Sequence, residues 1–365
     1  MQFFDLGIKQ MRLIIGDVCN LQCGYCSVCD VKKGRNNMPK TLSEDMKQYL
    51  IWLNEHAGRE IDINFFGGEP LIFFDRIKKL TEFFQSLPNS IYTFSITTNG
   101  KLMDKEKLKW FTENKISICY SYDGGNSVKT RGYDVWEDKK DLILATEDVW
   151  FSVVMTSQSY IYDVCKKLQE IDEEYRKIHG HCINVNMIDV MENVDGFRDM
   201  TLTDIDLNEL HNQYDKLFKC YLKYKQIEDE QEKINYYLSH GKIIDRANML
   251  VHKVINNIGN GYRLTHFCAE YFENLSVDLD GGIYNCLFES KPFLHVTDGS
   301  EKILRGIMED EYRLMKRKDE LCRDCQAWPL CDGGCKNNTD PEGLRKWCEV
   351  QRTAMNTLLE IVEEA

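Results

Sequence analysis

Three cysteines near the start of the chain have the type and spacing of ligands for an iron-sulfur cluster. Cys19, Cys23 and Cys26 follow the pattern Cys-x3-Cys-x2-Cys, and Tyr25 directly precedes the last of them. A cubane cluster has four irons, so three thiolates leave one iron without a protein ligand. A small molecule could bind that iron through nitrogen and oxygen. The motif therefore predicts a cluster at which a reaction begins.

A second group of cysteines lies in the C-terminal part of the chain. A Cys-x12-Gly-x4-Cys stretch is followed, after a gap, by Cys-x2-Cys-x5-Cys-x3-Cys and then by one last cysteine. The seven residues are Cys268, Cys286, Cys322, Cys325, Cys331, Cys335 and Cys348. Their thiolates are soft ligands suited to iron-sulfur clusters or to zinc. A structural zinc site bound by four of them is the alternative, but it would leave three cysteines without a metal.

The N-terminal motif resembles that of the radical S-adenosylmethionine (radical SAM) superfamily, and a second motif extends the resemblance. The sequence Gly67-Gly68-Glu69-Pro70 follows the apolar run Ile61–Phe66. In that superfamily a motif of this kind holds the amino group of SAM's methionine. Glycine allows the backbone to approach a ligand closely. The resemblance therefore implies that Gly67, Gly68 and Glu69 bind SAM.

Further residues are assigned to SAM by the same resemblance. Asn99, Ser121 and Asp123 lie where later β-type runs end, and they look like contacts to the ribose or the methionine. Tyr25 would pack near the adenine. Cys29 repeats the x2 spacing, but a fourth thiolate would close the iron that must chelate SAM. We therefore do not expect Cys29 to be a ligand.

The C-terminal cysteine pattern resembles the SPASM extension of radical SAM enzymes, which carries two auxiliary 4Fe-4S clusters. The resemblance implies that one cluster is ligated by Cys322, Cys325, Cys331 and Cys348, and the other by Cys268, Cys286 and Cys335. Seven ligands cannot close two four-iron clusters. The open iron could take a substrate thiolate, a water or a nearby carboxylate such as Glu270 or Glu273. Three 4Fe-4S clusters and SAM are thus the expected cofactors.

Alternation of β-type runs and helical stretches predicts an α/β fold. The runs are Met11–Gly16, Ile61–Phe66, Ile91–Thr97, Ile116–Ser121, Trp150–Thr156 and Cys182–Val190. Such repetition favours a parallel sheet with crossover helices, and six units would form a partial (β/α)6 TIM-like barrel. Chemistry in such barrels occurs at the carboxyl ends of the strands. Cys19, Gly67, Asn99 and Asp123 all lie there.

The chain divides into three predicted segments. Residues 1–195 would form the radical SAM barrel, residues 196–262 a helical connector, and residues 263–365 the small cysteine-rich SPASM domain. The connector has helical periodicity and dense charge, which predict solvated helices that only join the other two parts. Four cysteines in strand or helix patterns are expected to be small buried apolar residues. These are Cys119, Cys165, Cys182 and Cys220.

Composition limits the partners and the compartment. The chain has 365 residues, 43% of them apolar, so it can bury a sizeable core. Its net charge of -13 makes nucleic acid an unfavourable partner and weakly favours a neutral or basic substrate. The sequence shows no signal peptide and no run of membrane length. Fifteen cysteines without an export signal indicate a reducing cytoplasm rather than disulfides.

The two resemblances imply an oxidoreductase that modifies a peptide. A reductant such as flavodoxin or ferredoxin would reduce the cluster, SAM would be cleaved, and a 5'-deoxyadenosyl radical would abstract a substrate hydrogen. Cross-linking of a precursor peptide through a thioether or C-C bond is the first hypothesis. Formylglycine formation as in anaerobic sulfatase maturases is second, because Leu287 stands where those enzymes have an aspartate base. A small-molecule radical dehydrogenase and a non-catalytic electron carrier remain open, and no residue is assigned as the catalytic acid, base or hydrogen donor.

Overall fold

A nine-stranded sheet organises the computed structural model, which describes residues 3–5, 7–26, 39–188, 204–261, 274–284, 289, 291–334 and 341–364. The strands are β1 (Gln10–Ile14), β2 (Ile61–Phe66), β3 (Tyr92–Thr98), β4 (Ile116–Ser121), β5 (Val149–Val154), β6 (Asn184–Ile188), β7 (Asn274–Asp278), β8 (Gly282–Tyr284) and β9 (Leu294–His295). Their order is β6-β5-β4-β3-β2-β1-β7-β8-β9. All pairs from β6 to β7 are parallel, whereas β8 and β9 are antiparallel additions.

Eleven α-helices are present in the described part of the chain. They are α1 (Glu44–His56), α2 (Phe74–Gln85), α3 (Lys105–Glu113), α4 (Ser127–Arg131), α5 (Val135–Leu144), α6 (Ile161–His179), α7 (Leu207–Gln226), α8 (Glu230–Asn260), α9 (Ser300–Leu321), α10 (Trp328–Cys331) and α11 (Pro341–Glu364). Several begin at the side chain that the sequence supplies for an N-cap. Asp104, Asp206 and Asp229, for example, each accept hydrogen bonds from backbone N–H groups of the first turn.

The six predicted β-type runs all coincide with observed strands, so the six-unit β/α arrangement is confirmed. Two runs match their strands at both ends and the other four differ by one or two residues at each end, while residues 189 and 190 of the last run lie outside the described part. Strand β7 comes from the third predicted segment, yet it pairs with β1 from Gln10↔Asn274 to Ile14↔Asp278. The sheet is therefore continuous from the barrel into the C-terminal part. The division into three segments stays a prediction.

The two faces of the parallel sheet have different chemistry. Ile63, paired with Phe94, belongs to the main apolar core, which includes side chains of the surrounding helices. The alternate residues point to the other face, because side chains alternate along a strand. There Ser95 donates a hydrogen bond to Asp62 at 2.6 Å, and the Asn64 amide donates one to Ser95 at 2.9 Å. The inner face of the open barrel is therefore a polar surface.

The predicted connector is not a pair of solvated helices, and that prediction is wrong. Leu217 and Phe218 of α7 and Ala247 of α8 are buried in a second apolar cluster, together with residues of α6, α10 and α11. An amphipathic helix with one apolar stripe packs against neighbours, whatever the charge density on its outer face. The connector thus builds the core beneath the C-terminal cysteines. Within the described residues, no helix is both long and apolar enough to span a bilayer.

Candidate active site

The loop that carries the first cysteine motif lies against the end of β2. The Gly68 N–H donates to the Gly16 carbonyl at 2.9 Å, and the Glu69 N–H donates to the Val18 carbonyl at 2.8 Å. A Cβ atom on Gly67 would overlap the Gly16 carbonyl oxygen, and one on Gly68 would come within 2.6 Å of the Asp17 carbonyl oxygen. Only glycine fits at both positions. The Gly-Gly motif therefore brings its own backbone directly beside the segment that leads into the first cysteine.

Glu69 joins the carboxyl ends of β2 and β3. Its buried carboxylate accepts hydrogen bonds from the Thr98 hydroxyl at 2.6 Å, the Asn99 N–H at 2.8 Å and the Leu71 N–H at 3.0 Å. Burial raises the pKa of Glu69, and these three hydrogen bonds act against that shift. The carboxylate is thus held rigidly within the protein. It fixes the turn after β2 and the start of the loop after β3.

Asn99 connects the β3 loop to the cysteine loop. Its side-chain amide donates to the Asn20 Oδ1 atom at 2.8 Å, and the same Nδ2 atom lies 3.9 Å from the Cys19 sulfur. Its own Oδ1 atom accepts from the Lys101 N–H at 3.0 Å. The Asn20 Nδ2 atom is buried and has no hydrogen-bond partner within the described structure. A donor of this kind next to the cysteines is suited to a bound acceptor.

Asp123 is the centre of a buried hydrogen-bond network. It is 0% exposed and accepts from the Tyr25 hydroxyl at 2.8 Å, the Thr130 hydroxyl at 2.8 Å and the Val154 N–H at 3.1 Å. The Arg131 guanidinium contacts both of its oxygens, at 2.8 and 2.9 Å. Tyr25 belongs to the cysteine loop, so Asp123 ties that loop to the barrel. All of these partners are protein groups.

Arg131 is the main residue of this site on which the sequence analysis did not rely. It is 8% exposed, and its guanidinium lies 5.4 Å from the centre of the Tyr25 ring. Burial alone would lower the pKa of Arg131, but the adjacent Asp123 carboxylate raises it above the usual value. A backbone bond from Gly24 N–H to the Thr130 carbonyl, 2.9 Å long, joins the same two loops. The only sequence signal was the position of an arginine shortly after the Asp123 loop.

The remaining predicted N-terminal positions are also at this end of the barrel. Cys19, Cys23 and Cys26 are partly exposed on the loop after β1. Ser121 is the last residue of β4 and is aligned with Ser152 of β5. Cys29 lies outside the described residues.

Four of the C-terminal cysteines, Cys322, Cys325, Cys331 and Cys348, lie in the described part of the chain. Cys322 ends α9, and the Cys325 N–H donates to its carbonyl at 3.2 Å. Burial, followed by the charges of Cys325 and Cys348, raises the pKa of the Cys322 thiol. The pKa of Cys331 is raised to about 12, mainly by burial, with Cys348 and Cys322 contributing to the increase. Ligation of one cluster by these four thiols stays a prediction.

The other C-terminal ligands predicted for the second cluster are Cys268, Cys286 and Cys335, and all three lie outside the described residues, as does Leu287. In the part that is described, no three Cys, His, Asp or Glu side chains converge closely enough to hold a single metal ion. Of the four cysteines expected to be buried apolar residues, Cys165 is buried, Cys119 and Cys220 are partly buried, and Cys182 is exposed. The expectation for Cys182 is wrong because it lies in the irregular segment before β6, not within the strand.

The residues at the barrel end fit a cluster with SAM bound to it. Three thiols on one loop form a soft donor set, and Asn20 next to them has a buried side-chain nitrogen without a hydrogen-bond partner. The Gly67 and Gly68 backbone stands directly beside that loop, where a side chain could not be accommodated. The donor set and its surroundings therefore match the chemistry of the predicted cofactors.

Comparison with known proteins agrees with this geometry. Residues 13–135 match the Radical SAM superfamily, and this span includes the cysteine motif, the Gly-Gly-Glu motif, Asn99, Asp123 and Arg131. The chain carries a radical SAM domain. Its superfamily implies a 4Fe-4S cluster and SAM as cofactors.

Similarity to curated proteins extends over most of the chain. A cysteine-type anaerobic sulfatase-maturating enzyme of Clostridium perfringens is 22% identical over 350 residues, which are 88% of this chain and 87% of the relative. The radical SAM cyclopropyl synthase TigE of Paramaledivibacter caminithermalis is 20% identical, with 90% of this chain and 68% of the relative covered. The similarity thus reaches well beyond the barrel.

Solved structures share the fold. The enzyme anSMEcpe with bound AdoMet and a Cp18Cys peptide matches with a TM-score of 0.64 at 18% identity and covers 97% of this chain and 99% of that chain. SuiB of Streptococcus suis bound to its precursor peptide SuiA matches with a TM-score of 0.54 at 15% identity, and the match covers 91% of this chain and 72% of the SuiB chain. The partial (β/α)6 fold predicted from the sequence is confirmed.

Proposed function

We propose that this radical SAM enzyme modifies a peptide by forming a cross-link between side chains, either a thioether or a C-C bond. The single observation that carries the proposal is the cysteine loop itself, which is fastened to β2 through Gly68 and Glu69 and to β4 through Tyr25 and Asp123. A loop held at several points can keep an open iron and its ligand in one orientation. Such positioning is what a reactive carbon radical requires.

Specific residues would hold the cofactors. Cys19, Cys23 and Cys26 would ligate the cluster, and the Gly67–Glu69 backbone would face the methionine amine of SAM. Asn99 and Ser121 lie at the same end of the barrel, where they would orient the ribose and the carboxylate. When bound, the cluster and SAM together supply the reducing electron and the radical that removes a substrate hydrogen. The protein contributes orientation and the exclusion of water.

Asp123 and Tyr25 are given a refined role in this proposal. Because both are occupied with each other and with Arg131, they would act first as supports of the cysteine loop. Any contact of Tyr25 with the adenine would then come from its ring face. Cys322, Cys325, Cys331 and Cys348 would ligate one auxiliary cluster, and Cys268, Cys286 and Cys335 would ligate a second. That makes three 4Fe-4S clusters in total.

A peptide is the favoured substrate class because the structural relatives include complexes with peptides. The matched structures of anSMEcpe and of SuiB each contain one. Cross-linking stands before formylglycine formation because Leu287 cannot accept a proton. The sulfatase-maturating relatives nevertheless favour formylglycine formation as the second candidate. A flavodoxin or ferredoxin would serve as the reductant.

The first experiment is anaerobic reconstitution with iron and sulfide, followed by iron counting and a SAM-cleavage assay with dithionite. We expect about twelve irons, as three four-iron clusters require. We also expect 5'-deoxyadenosine, which should be lost in the Cys19→Ala/Cys23→Ala/Cys26→Ala variant. A chain that binds iron but never cleaves SAM would be an electron carrier. About four irons together with zinc would remove the auxiliary clusters.

The product then decides between the two candidate reactions. A synthetic cysteine-containing precursor peptide would be incubated with the reconstituted enzyme and analysed by mass spectrometry. Loss of two hydrogen atoms indicates a cross-link. Loss of one sulfur and two hydrogen atoms with gain of one oxygen indicates formylglycine. The second result would reverse the order of the two candidates.

A further inference from the structure

Helices α6, α7 and α8 bring tyrosines and lysines together on one outer surface. We call it the Lys/Tyr surface, and it consists of Tyr162, Lys216, Lys223, Tyr224, Lys233 and Tyr236. On α7, Lys216, Lys223 and Tyr224 have the i, i+7, i+8 spacing of a single helix face. Tyr224 also packs against Tyr237, with ring centres 5.9 Å apart. The aromatic groups therefore form a connected surface rather than isolated side chains.

Each lysine of this surface lies over a tyrosine ring. The Lys216 Nζ atom is 5.8 Å from the centre of the Tyr162 ring. The corresponding distances are 5.0 Å from Lys223 to Tyr236 and 5.3 Å from Lys233 to Tyr224. A cation over an aromatic face is attracted by the ring but keeps its full charge. The surface therefore presents three positive charges on an aromatic base.

These three lysines have no carboxylate partner in the described structure, although several carboxylates are close by. Three of those carboxylates are already occupied. Asp163 accepts from the Gln213 amide at 2.9 Å, Asp215 pairs with Lys219 at 2.7 Å, and Asp245 accepts from the Tyr237 hydroxyl at 2.8 Å. By contrast, lysines such as Lys109 and Lys140 are paired with glutamates. In a chain of net charge -13, three such lysines on one surface are a local exception.

The Lys/Tyr surface begins near the reactive end of the barrel. Tyr162 is in the first turn of α6, which follows the loop after the carboxyl end of β5. From there the surface extends along α7. Lys216 and Lys223 are seven positions apart, which is about 10 Å along a helix axis. Alternate side chains of an extended peptide are about 7 Å apart on one face, and the length of a lysine side chain allows two such acidic side chains to reach both lysines.

We propose that the Lys/Tyr surface binds an acidic segment of the peptide substrate, outside the residues that react. This inference rests on the proposed peptide-modifying function. The overall charge of the chain favours a neutral or basic substrate, but within about 10 Å the local charges dominate over distant ones because salt screens the latter. Carboxylates would pair with the lysines while neighbouring side chains pack on the tyrosines, which are well suited to protein contacts.

The test measures peptide binding to the reconstituted full chain. The probe is a fluorescein-labelled synthetic peptide in which Asp and Glu alternate with Leu and Phe, and its reference is the same peptide with Asn and Gln in place of the acids. The variant Lys216→Gln/Lys223→Gln removes two charges and keeps similar side-chain length. The matched control, Lys109→Gln/Lys140→Gln, removes two lysines that already have carboxylate partners. Thermal unfolding of both variants verifies that they are folded.

We expect the acidic probe to bind about tenfold more weakly to the Lys216→Gln/Lys223→Gln variant, because the variant loses two lysine charges that would each make a contact of modest strength with a peptide carboxylate. The control variant should bind like the wild type, and added salt should weaken wild-type binding. Equal binding by both variants, or equal binding of the two peptides, would overturn the proposal. So would preferential binding of an RNA oligonucleotide of equal charge. Wild-type SAM cleavage without binding of the acidic probe would refute this surface alone, whereas absent SAM cleavage would refute the proposed function.

Discussion

Replacement of Asp123 by asparagine should weaken the fold by leaving Arg131 as a buried charge without a counter-ion. Asp123 is 0% exposed, Arg131 is 8% exposed, and the guanidinium contacts the two carboxylate oxygens at 2.8 and 2.9 Å. Asparagine has nearly the same shape and can still accept one hydrogen bond from the Tyr25 hydroxyl. The change therefore removes mainly the negative charge. The loss in the free energy of unfolding therefore measures the contribution of that charge.

The magnitude follows from the burial of the pair. Removing one partner of a buried ion pair typically costs about 3–5 kcal/mol, because the remaining charge stays desolvated. With a urea dependence of about 3 kcal/mol per molar, a loss of about 4 kcal/mol lowers the unfolding midpoint by about 1 M. The matched control is Glu113→Gln, which breaks the exposed pair with Lys109. Its midpoint should not change measurably, since exposed ion pairs contribute little.

The assay is anaerobic urea unfolding of the reconstituted enzyme, followed by circular dichroism, in a double-mutant cycle. Arg131→Met is combined with Asp123→Asn. If the buried charge is the cause, the double variant should be more stable than Asp123→Asn alone, because methionine carries no charge to desolvate. Losses that simply add would refute the reasoning. They would show that the network acts through packing and not through charge.

Three further outcomes are expected. Gly68→Ala should reduce iron retention and SAM binding, measured by iron counting and equilibrium dialysis, because the added Cβ would overlap the carbonyls that lead into the cysteine loop. At pH 8 iodoacetamide should leave Cys165 unmodified, since burial raises its pKa to about 12, and should alkylate Cys182, whose side chain is exposed. Partial desolvation raises the pKa of Cys182 as well, so its alkylation should become faster as the pH rises and more thiolate forms. Trp347→Phe should lower the reduction potential of the auxiliary cluster in an EPR-monitored titration, because the indole N–H donates to the Cys331 sulfur at 3.0 Å.

Each of these outcomes has a control or a contrary result. Gly125→Ala should behave like the wild type, because a Cβ there meets no atom within 4 Å. Alkylation of Cys165 in the folded enzyme, located by peptide mapping, would contradict its burial. An unchanged potential in Trp347→Phe would show that the hydrogen bond does not reach a cluster ligand.

Much of the fold could be predicted because its signals are local. The β/α alternation follows from short apolar runs with strand-forming residues, separated by amphipathic helices, and these patterns are visible within a window of a few turns. The high charge density of α7 and α8 led to the wrong prediction that these helices are solvated. Periodicity shows that Leu217 and Phe218 share an apolar stripe, but not what lies opposite. Helices that pack on distant parts of the chain cannot be distinguished from a solvated connector by charge density.

In the candidate active site, too, some features were visible in the sequence and others depended on the tertiary structure. The spacing of Cys19, Cys23 and Cys26 by itself predicted the type of cluster chemistry, because ligand number and type depend on residues close in sequence. The Gly-Gly-Glu motif was likewise visible in the sequence. The tertiary structure alone decided that Asp123 is occupied by Tyr25, 98 residues away, and by Arg131. Such contacts arise because parallel strands bring their carboxyl ends to one edge, whatever their separation along the chain.

The Lys/Tyr surface is the clearest case of what only the folded chain decides. Lys216, Lys223 and Lys233 look like ordinary surface charges in the sequence, mixed with acidic residues of similar density. In the structure Asp163, Asp215 and Asp245 have other partners. Each of the three lysines lies over a tyrosine contributed by another helix. A sequence determines which charges and donor atoms exist and how the local chain folds. The packing of distant segments determines which of those charges neutralise one another and which remain to bind a partner.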